Sequence, residues 1–384
     1  MLFCEYLPDR DNQVPKIKGD KTFFHGKSES IGVLLINLGT PEEPTTKSVR
    51  KYLRQFLSDS RVVEIPRLVW LPILYGLVLP KRPAKSAENY KKIWSDEQGS
   101  PLLHYSQRQK KLLQNEVKSR FKGPVYVELA MRYGKPDIES GLKKLQEKGA
   151  HRLLVLPLYP QYSATTTATS FDEVSKVLRG WRWIPEFRFI SQYHDHPSYI
   201  KTLANSVKDH WKNNTKSDIL LMSFHGLPKR NLDLGDPYYC HCQKTGRLLA
   251  DKLELTDDQW KLTFQSRFGK AEWLKPYTDE TLKAFPAEGV KSVDVICPGF
   301  PSDCLETLEE IEDENREYFM EAGGEQYNYI AALNDHPSHI QTLADIIQQH
   351  SQGWLEAKPN WNATEAESQS KLTQARAKDK GAKV

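Results

Sequence analysis

Cysteine is sparse in this 384-residue chain: Cys4, Cys240, Cys242, Cys297 and Cys304 are an odd number and widely scattered. That excludes a secreted disulfide framework and fits a reducing cytosol. Cys240-His241-Cys242 has two cysteines one residue apart but no second pair, which does not make a zinc or iron–sulfur site. An excess of one charge sign is also missing. The formal net charge is +4, and no Lys/Arg tract carries interleaved aromatics, so nucleic acid is not an expected partner. Residues 1–30 mix Asp9, Arg10, Asp11, Lys16, Lys18 and Lys21 without an apolar stretch, so no secretory signal is expected there. Residues 68–79 are apolar, but twelve residues interrupted by Pro72 fall short of the ~20 that span a bilayer. No Gly-x-Gly-x-x-Gly follows a strand, and there is neither a Walker-type Gly-Lys-Thr loop nor a His-Glu-x-x-His helix. Asn37-Leu38-Gly39-Thr40-Pro41 is a poor phosphate cradle, because Pro41 removes an amide donor.

With 39% hydrophobic and 27% charged residues, a packed core is within reach and wholesale disorder is not expected. Short apolar runs at 31–38, 125–130, 153–158 and 187–190 predict buried strands, and a second series follows at 219–224, 261–265, 293–297 and 329–333. Strands alternating with helices imply parallel sheets covered on both faces. The expected fold class is therefore α/β, with two similar doubly wound domains, each a four-stranded parallel sheet with flanking helices. A repeat supports the duplication. Asp195-His196-Pro197-Ser198-Tyr199-Ile200 recurs as Asp335-His336-Pro337-Ser338-His339-Ile340, each copy opening an apolar-periodic run that Asp or His can cap. That structural reading is preferred to a catalytic His196 or His336. The expected division is an extension at 1–30, a first domain at 31–195 carrying an apolar lip at 61–85, a second domain at 196–355 carrying the metal site, and a disordered tail at 356–384. Ligands in such folds bind beyond the carboxyl ends of strands, so chemistry is sought there.

Ser223-Phe224-His225-Gly226-Leu227-Pro228 places an imidazole directly after a predicted strand, where it can be a base near neutral pH or a metal ligand. The alternative is a histidine that satisfies a turn. After another strand, Glu306, Glu310 and Glu314 are spaced by four and stack along one helical face. Like charges at that spacing cost roughly a few tenths of a kcal/mol per pair, so the row suits holding a cation or passing protons. A solvated acidic face is the alternative, and burial would exclude it. Residues 68–79, with Arg61 and Arg67 before them and Lys81, Arg82 and Lys85 after, read either as an interfacial membrane contact, with Leu71 and Leu74 against the lipid, or as a buried helical hairpin.

Taken together, several segments resemble the ferrochelatases: Leu35-Ile36-Asn37-Leu38-Gly39-Thr40-Pro41, Met131-Arg132-Tyr133-Gly134, Tyr159-Pro160-Gln161-Tyr162-Ser163 and Ser223-Phe224-His225-Gly226-Leu227-Pro228. Gly235-Asp236-Pro237-Tyr238-Tyr239, Gln265-Ser266-Arg267-Phe268-Gly269, Trp273-Leu274-Lys275-Pro276-Tyr277-Thr278 and Ser302-Asp303-Cys304-Leu305-Glu306-Thr307 continue the series, in order, over about residues 31–350. The resemblance implies insertion of Fe²⁺ into protoporphyrin IX to form protohaem in a cleft between two chelatase-like domains. It implies His225 and Glu306 as the metal pair, Glu310 and Glu314 on the acidic row with a π-helical distortion, and Arg132, Tyr133, Tyr162 and Trp273 as porphyrin contacts. Iron enters as substrate, and no permanent cofactor is expected. The tail lacks the cysteines of the cluster-bearing members, so no iron–sulfur cluster is expected either. Cys304 departs from the histidine that many relatives carry two residues before the glutamate, and a soft thiol there would alter metal preference. The expected location is cytoplasmic and peripheral at the inner membrane surface through 68–79, as monomer or homodimer. A non-catalytic haem or porphyrin carrier, or a chelatase for coproporphyrin or another tetrapyrrole, is the alternative reading.

Overall fold

A computed structural model describes Ile17, Gly19, residues 23–269 and residues 271–382. The strands are β1 (Ser30–Gly39), β2 (Val125–Tyr133), β3 (Ala150–Pro157), β4 (Glu186–Phe189), β5 (Ile219–His225), β6 (Trp260–Gln265), β7 (Ser292–Ile296) and β8 (Gln326–Ile330). The helices are α1 (Thr46–Leu57), α2 (Arg67–Ile73), α3 (Leu79–Ile93), α4 (Pro101–Arg120), α5 (Ile138–Glu147), α6 (Thr169–Leu178), α7 (Pro197–Asn213), α8 (Lys229–Asp233), α9 (Tyr238–Leu253), α10 (Thr278–Ala284), α11 (Asn315–Glu321), α12 (Pro337–His350) and α13 (Ala363–Asp379). Three π-helical segments join them, at Leu74–Val78, Ala164–Ala168 and Glu306–Glu314.

The strands form two four-stranded parallel sheets with matching orders, β2-β1-β3-β4 and β6-β5-β7-β8. Parallel strands covered on both faces need apolar residues at successive positions, which is why they read as continuous runs. Along β1, Val33 and Leu35 enter a central core while Leu34 and Ile36 enter an outer one against α5 and α6. Along β5, Leu220 and Met222 point to the same central core and Leu221 to a separate outer layer with Leu282 and Phe319. The two sheets thus share one interior. Gly39 closes β1 at φ +113, where a Cβ would lie 1.8 Å from the Tyr133 carbonyl oxygen, so only glycine fits.

The repeated segments explain that shared interior. α7, which follows the first sheet, packs on α9 and β8 of the second; α12, which follows the second sheet, packs on α4 and β3 of the first. The helices meet each other reciprocally. Thr202 and Thr342 hydroxyls lie 2.9 Å apart, the Thr202 hydroxyl donates to the Ser338 carbonyl (3.4 Å), and the Thr342 hydroxyl donates to the Ser198 carbonyl (3.2 Å). Both motif histidines sit at helix starts, but the expected cap forms in one copy: His336 Nδ1 accepts the Ser338 amide at 3.3 Å, whereas His196 makes no side-chain cap and meets Gln349 at 3.0 Å.

Three expectations need correction. β8 begins and ends three residues before the predicted 329–333, because it is an edge strand in which the polar Asn328 reaches back to Asp294 at 2.8 Å; the apolar run marks the turn beyond it. The tail is not disordered: Ala, Glu, Gln and Lys favour helix, Asn362 caps α13 through the Thr364 amide (2.9 Å), and Ser370 and Gln374 donate to the Gly26 carbonyl. No residue of α13 is buried, which is why no apolar period announced it. Leu74 is fully buried, so it cannot face lipid. The extension predicted at 1–30 falls largely outside the described residues.

His339 in α12 is buried, donates from Nδ1 to the Asn334 carbonyl (2.8 Å) and leaves Nε2 without a partner. Burial lowers its pKa to about 4. Between the unfolded value near 6.5 and that folded value, the unfolded chain binds a proton that the native one does not. Its contribution is therefore whole above about pH 6.5 and is lost as pH falls towards 4, on the order of 3 kcal/mol in all. In urea titrations from pH 7 to 4, His339→Gln is expected to show a shallower fall in midpoint than the parent; parallel falls would contradict the assignment.

Candidate active site

His225 is the last residue of β5, level with Gln265 on the neighbouring strand. Its Nδ1 lies 2.7 Å from the Gly226 carbonyl oxygen, which can only accept, so Nδ1 carries the proton and Nε2 is left basic. Gly226 lets the chain turn: its amide donates to the Gln265 carbonyl at 2.7 Å, and a Cβ there would lie 2.6 Å from that same oxygen and 3.2 Å from the Trp273 ring. Trp273 is half-buried beside this turn, with its indole N–H donated to the Phe268 carbonyl at 2.8 Å.

The acidic row occupies the π-helix at Glu306–Glu314, as the resemblance implies, and its members differ in setting. Glu306 is half-buried. Glu310 accepts from Gln265 Nε2 at 3.2 Å and from the Ser266 hydroxyl. Burial pushes the Glu310 carboxyl above its ordinary range, against the pull of Ser266, His225 and Gln265, while the charge of Glu306 pushes the same way as burial. The fields of His225 and Glu306 thus meet at Glu310, and Gln265 donates to the Glu306 carbonyl at 2.8 Å. His225, Glu306 and Glu310 therefore occupy one locality. Glu314 is exposed and accepts the Tyr318 hydroxyl at 2.7 Å. A uniformly solvated acidic face is excluded by this burial.

Ser266 follows β6 at φ +64, a left-handed state that costs a non-glycine residue about 1–2 kcal/mol and here turns its hydroxyl to Glu310. Cys304 is buried; burial pushes its thiol up, and Glu306 adds to that effect. It is held as a neutral thiol, a weaker metal ligand than a thiolate.

The first domain supplies the facing residues. Buried Tyr52 and Tyr90 lie within the field of Glu306, as does Arg82, whose guanidinium sits 4.8 Å over the Phe268 ring. Lys92, near the end of α3, reaches Glu309 and Asp313, both at 3.1 Å, joining α3 to the π-helix. Arg132 and Tyr133 depart from their expected role. Arg132 pairs with Asp59 at 2.6 Å and donates to Thr169, which commits its guanidinium within the first domain. Tyr133 is fully buried and donates its hydroxyl to Asp59 at 2.9 Å, so its ring is not open to a macrocycle. Tyr162 is half-buried on the loop after β3. Among the described residues no cluster of three or more His, Cys, Asp and Glu forms a ready metal cage.

Roles for Gln265, Ser266 and Arg82 escaped the reading of the chain. The first two follow a strand inside a quoted motif, so their position was a usable signal. Arg82 offered only a cation in a basic flank, indistinguishable from its neighbours Lys81 and Lys85.

Residues 30–351 match the family model described as Ferrochelatase. The chain is 54% identical over 368 residues to the ferrochelatase of Thioalkalivibrio sulfidiphilus (strain HL-EbGR7), covering 96% of this chain and 100% of that protein. It is 55% identical over 333 residues to the ferrochelatase of Aromatoleum aromaticum, covering 87% and 91%. Among solved structures, SirB from Bacillus subtilis with Fe3+ superimposes with a TM-score of 0.52 at 12% identity, over 86% of this chain and 100% of that one, a likeness of fold.

Proposed function

The chain belongs to the ferrochelatase family and inserts ferrous iron into protoporphyrin IX to form protohaem, and from that premise we propose how its own residues divide the work. The carrier and the alternative-tetrapyrrole readings are not favoured beside relatives of this identity and coverage.

Metallation exchanges two pyrrole N–H protons for one Fe²⁺. A flat ring crowds those groups in its centre, and bending it turns a nitrogen towards one face. Binding energy from the periphery can supply such strain, typically ~1–5 kcal/mol. The observation that carries the assignment is the meeting of His225, Glu306 and Glu310 at one end of the second sheet. His225 accepts the pyrrole proton on Nε2, the nitrogen that Gly226 leaves basic. Glu306 holds the arriving metal. Glu310, whose carboxyl burial raises above its ordinary range, passes protons outward, and the exposed Glu314 delivers them to solvent. Tyr162 and Trp273 contact the macrocycle. Iron is cargo in this scheme, which requires no resident cofactor.

A porphyrin propionate needs a cation. Arg132 is committed to Asp59, whereas Arg82 has no carboxylate partner among the described residues and sits over the Phe268 ring within the field of Glu306. Arg82 is therefore the better propionate partner.

Among the described residues no helix is long and apolar enough to cross a membrane. The lip nevertheless exposes Leu68 (93%), Val69, Tyr75 and Leu77 on one short stretch, next to Arg67 and Lys81. Scattered exposed apolar residues are ordinary, but a cluster edged by cations suits a headgroup surface. The lip is proposed to rest on the inner membrane face, where substrate and product are most soluble.

His225→Ala is expected to lower kcat at least a hundredfold in anaerobic Soret assays, the range of a lost general base; full turnover would end the assignment. Arg82→Ala is expected to raise KM several-fold for a dicarboxylic porphyrin but not for its dimethyl ester, while equal effects on both would return the propionate to another cation. Leu68→Asp with Leu77→Asp should reduce co-sedimentation with anionic liposomes and spare kcat in detergent, and unchanged sedimentation would remove the lip from the membrane.

A further inference from the structure

The loop at residues 161–164, which carries Tyr162 after β3, is gripped from across the domain seam. Ahead of α9 and in its first turns, four side chains form a row. Asp236 Oδ2 accepts the Ala164 amide at 2.8 Å and the Ser163 hydroxyl at 3.1 Å. His241 Nδ1 accepts the Tyr162 amide at 3.2 Å, and the Thr245 hydroxyl accepts from Gln161 Nε2 at 3.0 Å. The fourth side chain faces the other way: the Tyr238 hydroxyl donates to the His225 carbonyl at 3.0 Å. Asp236 takes part in this direction too, because its Oδ1 accepts the Tyr238 amide at 3.0 Å.

We propose that Asp236 is a positioning residue for metal insertion: its two carboxylate oxygens, bound in opposite directions, set the spacing between the Tyr162 loop of the first domain and His225 of the second. A residue preceding α9 needs only one acceptor to satisfy that helix, and Oδ1 supplies it. Oδ2 is spent on the other domain, at the start of a second helical segment, Ala164–Ala168. Two helical N-termini converging on one carboxylate suit a negative group and no neutral one equally well. Rings are bent by walls at a fixed distance, so a shift of this loop relative to His225 relaxes the macrocycle and moves the pyrrole proton away from Nε2. The inference rests on the roles proposed above for His225 and Tyr162.

The test compares Asp236→Asn, Asp236→Ala and Ser163→Ala with His225→Ala. Asparagine keeps one acceptor and turns an amide N–H₂ towards the other set of donors, so it breaks the link on one side only. Asp236→Asn and Asp236→Ala are expected to lose kcat tenfold or more with KM for Fe²⁺ within twofold of the parent. Resonance Raman spectra of the bound porphyrin should lose intensity in out-of-plane ring modes. Ser163→Ala, which leaves the Ala164 amide bond intact, should lose no more than about threefold. Asp236→Asn with parental kcat and parental out-of-plane bands would overturn the proposal. So would a loss of kcat that only tracks the fraction of folded protein in the same sample. If His225→Ala keeps full turnover while the Asp236 variants still flatten the ring, the assignment of His225 fails and the spacing role stands.

Discussion

Gln265 ends β6 with a buried side chain, and the elements of the candidate active site meet at it. Its backbone carbonyl takes the Gly226 amide, its Oε1 takes the Ser223 hydroxyl at 2.9 Å, and its Nε2 reaches both the Glu306 carbonyl and the Glu310 carboxylate. One amide thus fixes the strand end that presents His225 against the helix that presents the acids. Each bond is worth only about 1 kcal/mol net, but leaving such a buried group unpaired costs about 1–3 kcal/mol, so the site cannot drift apart cheaply. The π-helix depends on the same kind of support. Wide helical turns bond less well than α-turns, and here side chains serve the carbonyls: Gln265 at Glu306, Asn315 at Glu310 (2.6 Å), Tyr327 at Ile311 (2.6 Å) and Arg316 at Glu312 (3.0 Å).

The sheets were legible in the chain because parallel strands buried on both faces carry runs of successive apolar residues, as β1, β3 and β5 do at 33–36, 153–156 and 219–222. β8 does not: at the sheet edge Gln326 and Asn328 alternate with Tyr327 and Tyr329, and the signal slipped to the apolar turn that follows. The tail misled for the opposite reason, since α13 buries nothing and owes its helicity to propensity and a cap. At the candidate site, position after a strand singled out His225 and Glu306, which the structure places in one locality, and spacing singled out the row that lies on the π-helix. Sequence pattern carries no information on what a cation is paired with, which is why Arg132 looked open and Arg82 looked ordinary. The burial of Tyr133 was equally invisible, because a tyrosine lining a pocket and a tyrosine donating to a buried aspartate read alike.

The duplication accounts for a rigid seam between the two halves. If each sheet kept its own helices, the halves would meet through surface residues and shift readily. Exchange of α7 and α12 places the contact between them inside a common core, with Tyr199, Leu203, Leu343 and Ile347 buried together. Burying such side chains is worth about 1.5–3 kcal/mol each. Separation of the halves would expose several at once, a cost far above thermal energy. Motion is therefore confined to the rim, where the contacts are exposed pairs such as Arg230–Glu64 (2.9 Å) and each contributes at most about 1 kcal/mol.

The acidic row is tolerable because its charges are unequal. Three ionised glutamates in line would repel along the whole helix, and burial would magnify the effect by lowering the local dielectric. Burial instead raises the carboxyl of the middle member, Glu310, above its ordinary range, which eases the repulsion it shares with Glu306. The off-row acids Glu309 and Asp313 share Lys92 from α3, so their charge is answered from the other domain. What remains is an ionisable group at the inner end, a proton holder in the middle and a solvated carboxylate outside. Glu306 and Glu310 are both half-buried and Glu314 is exposed, so the row opens to water at its outer end, where a charge is least costly to hold.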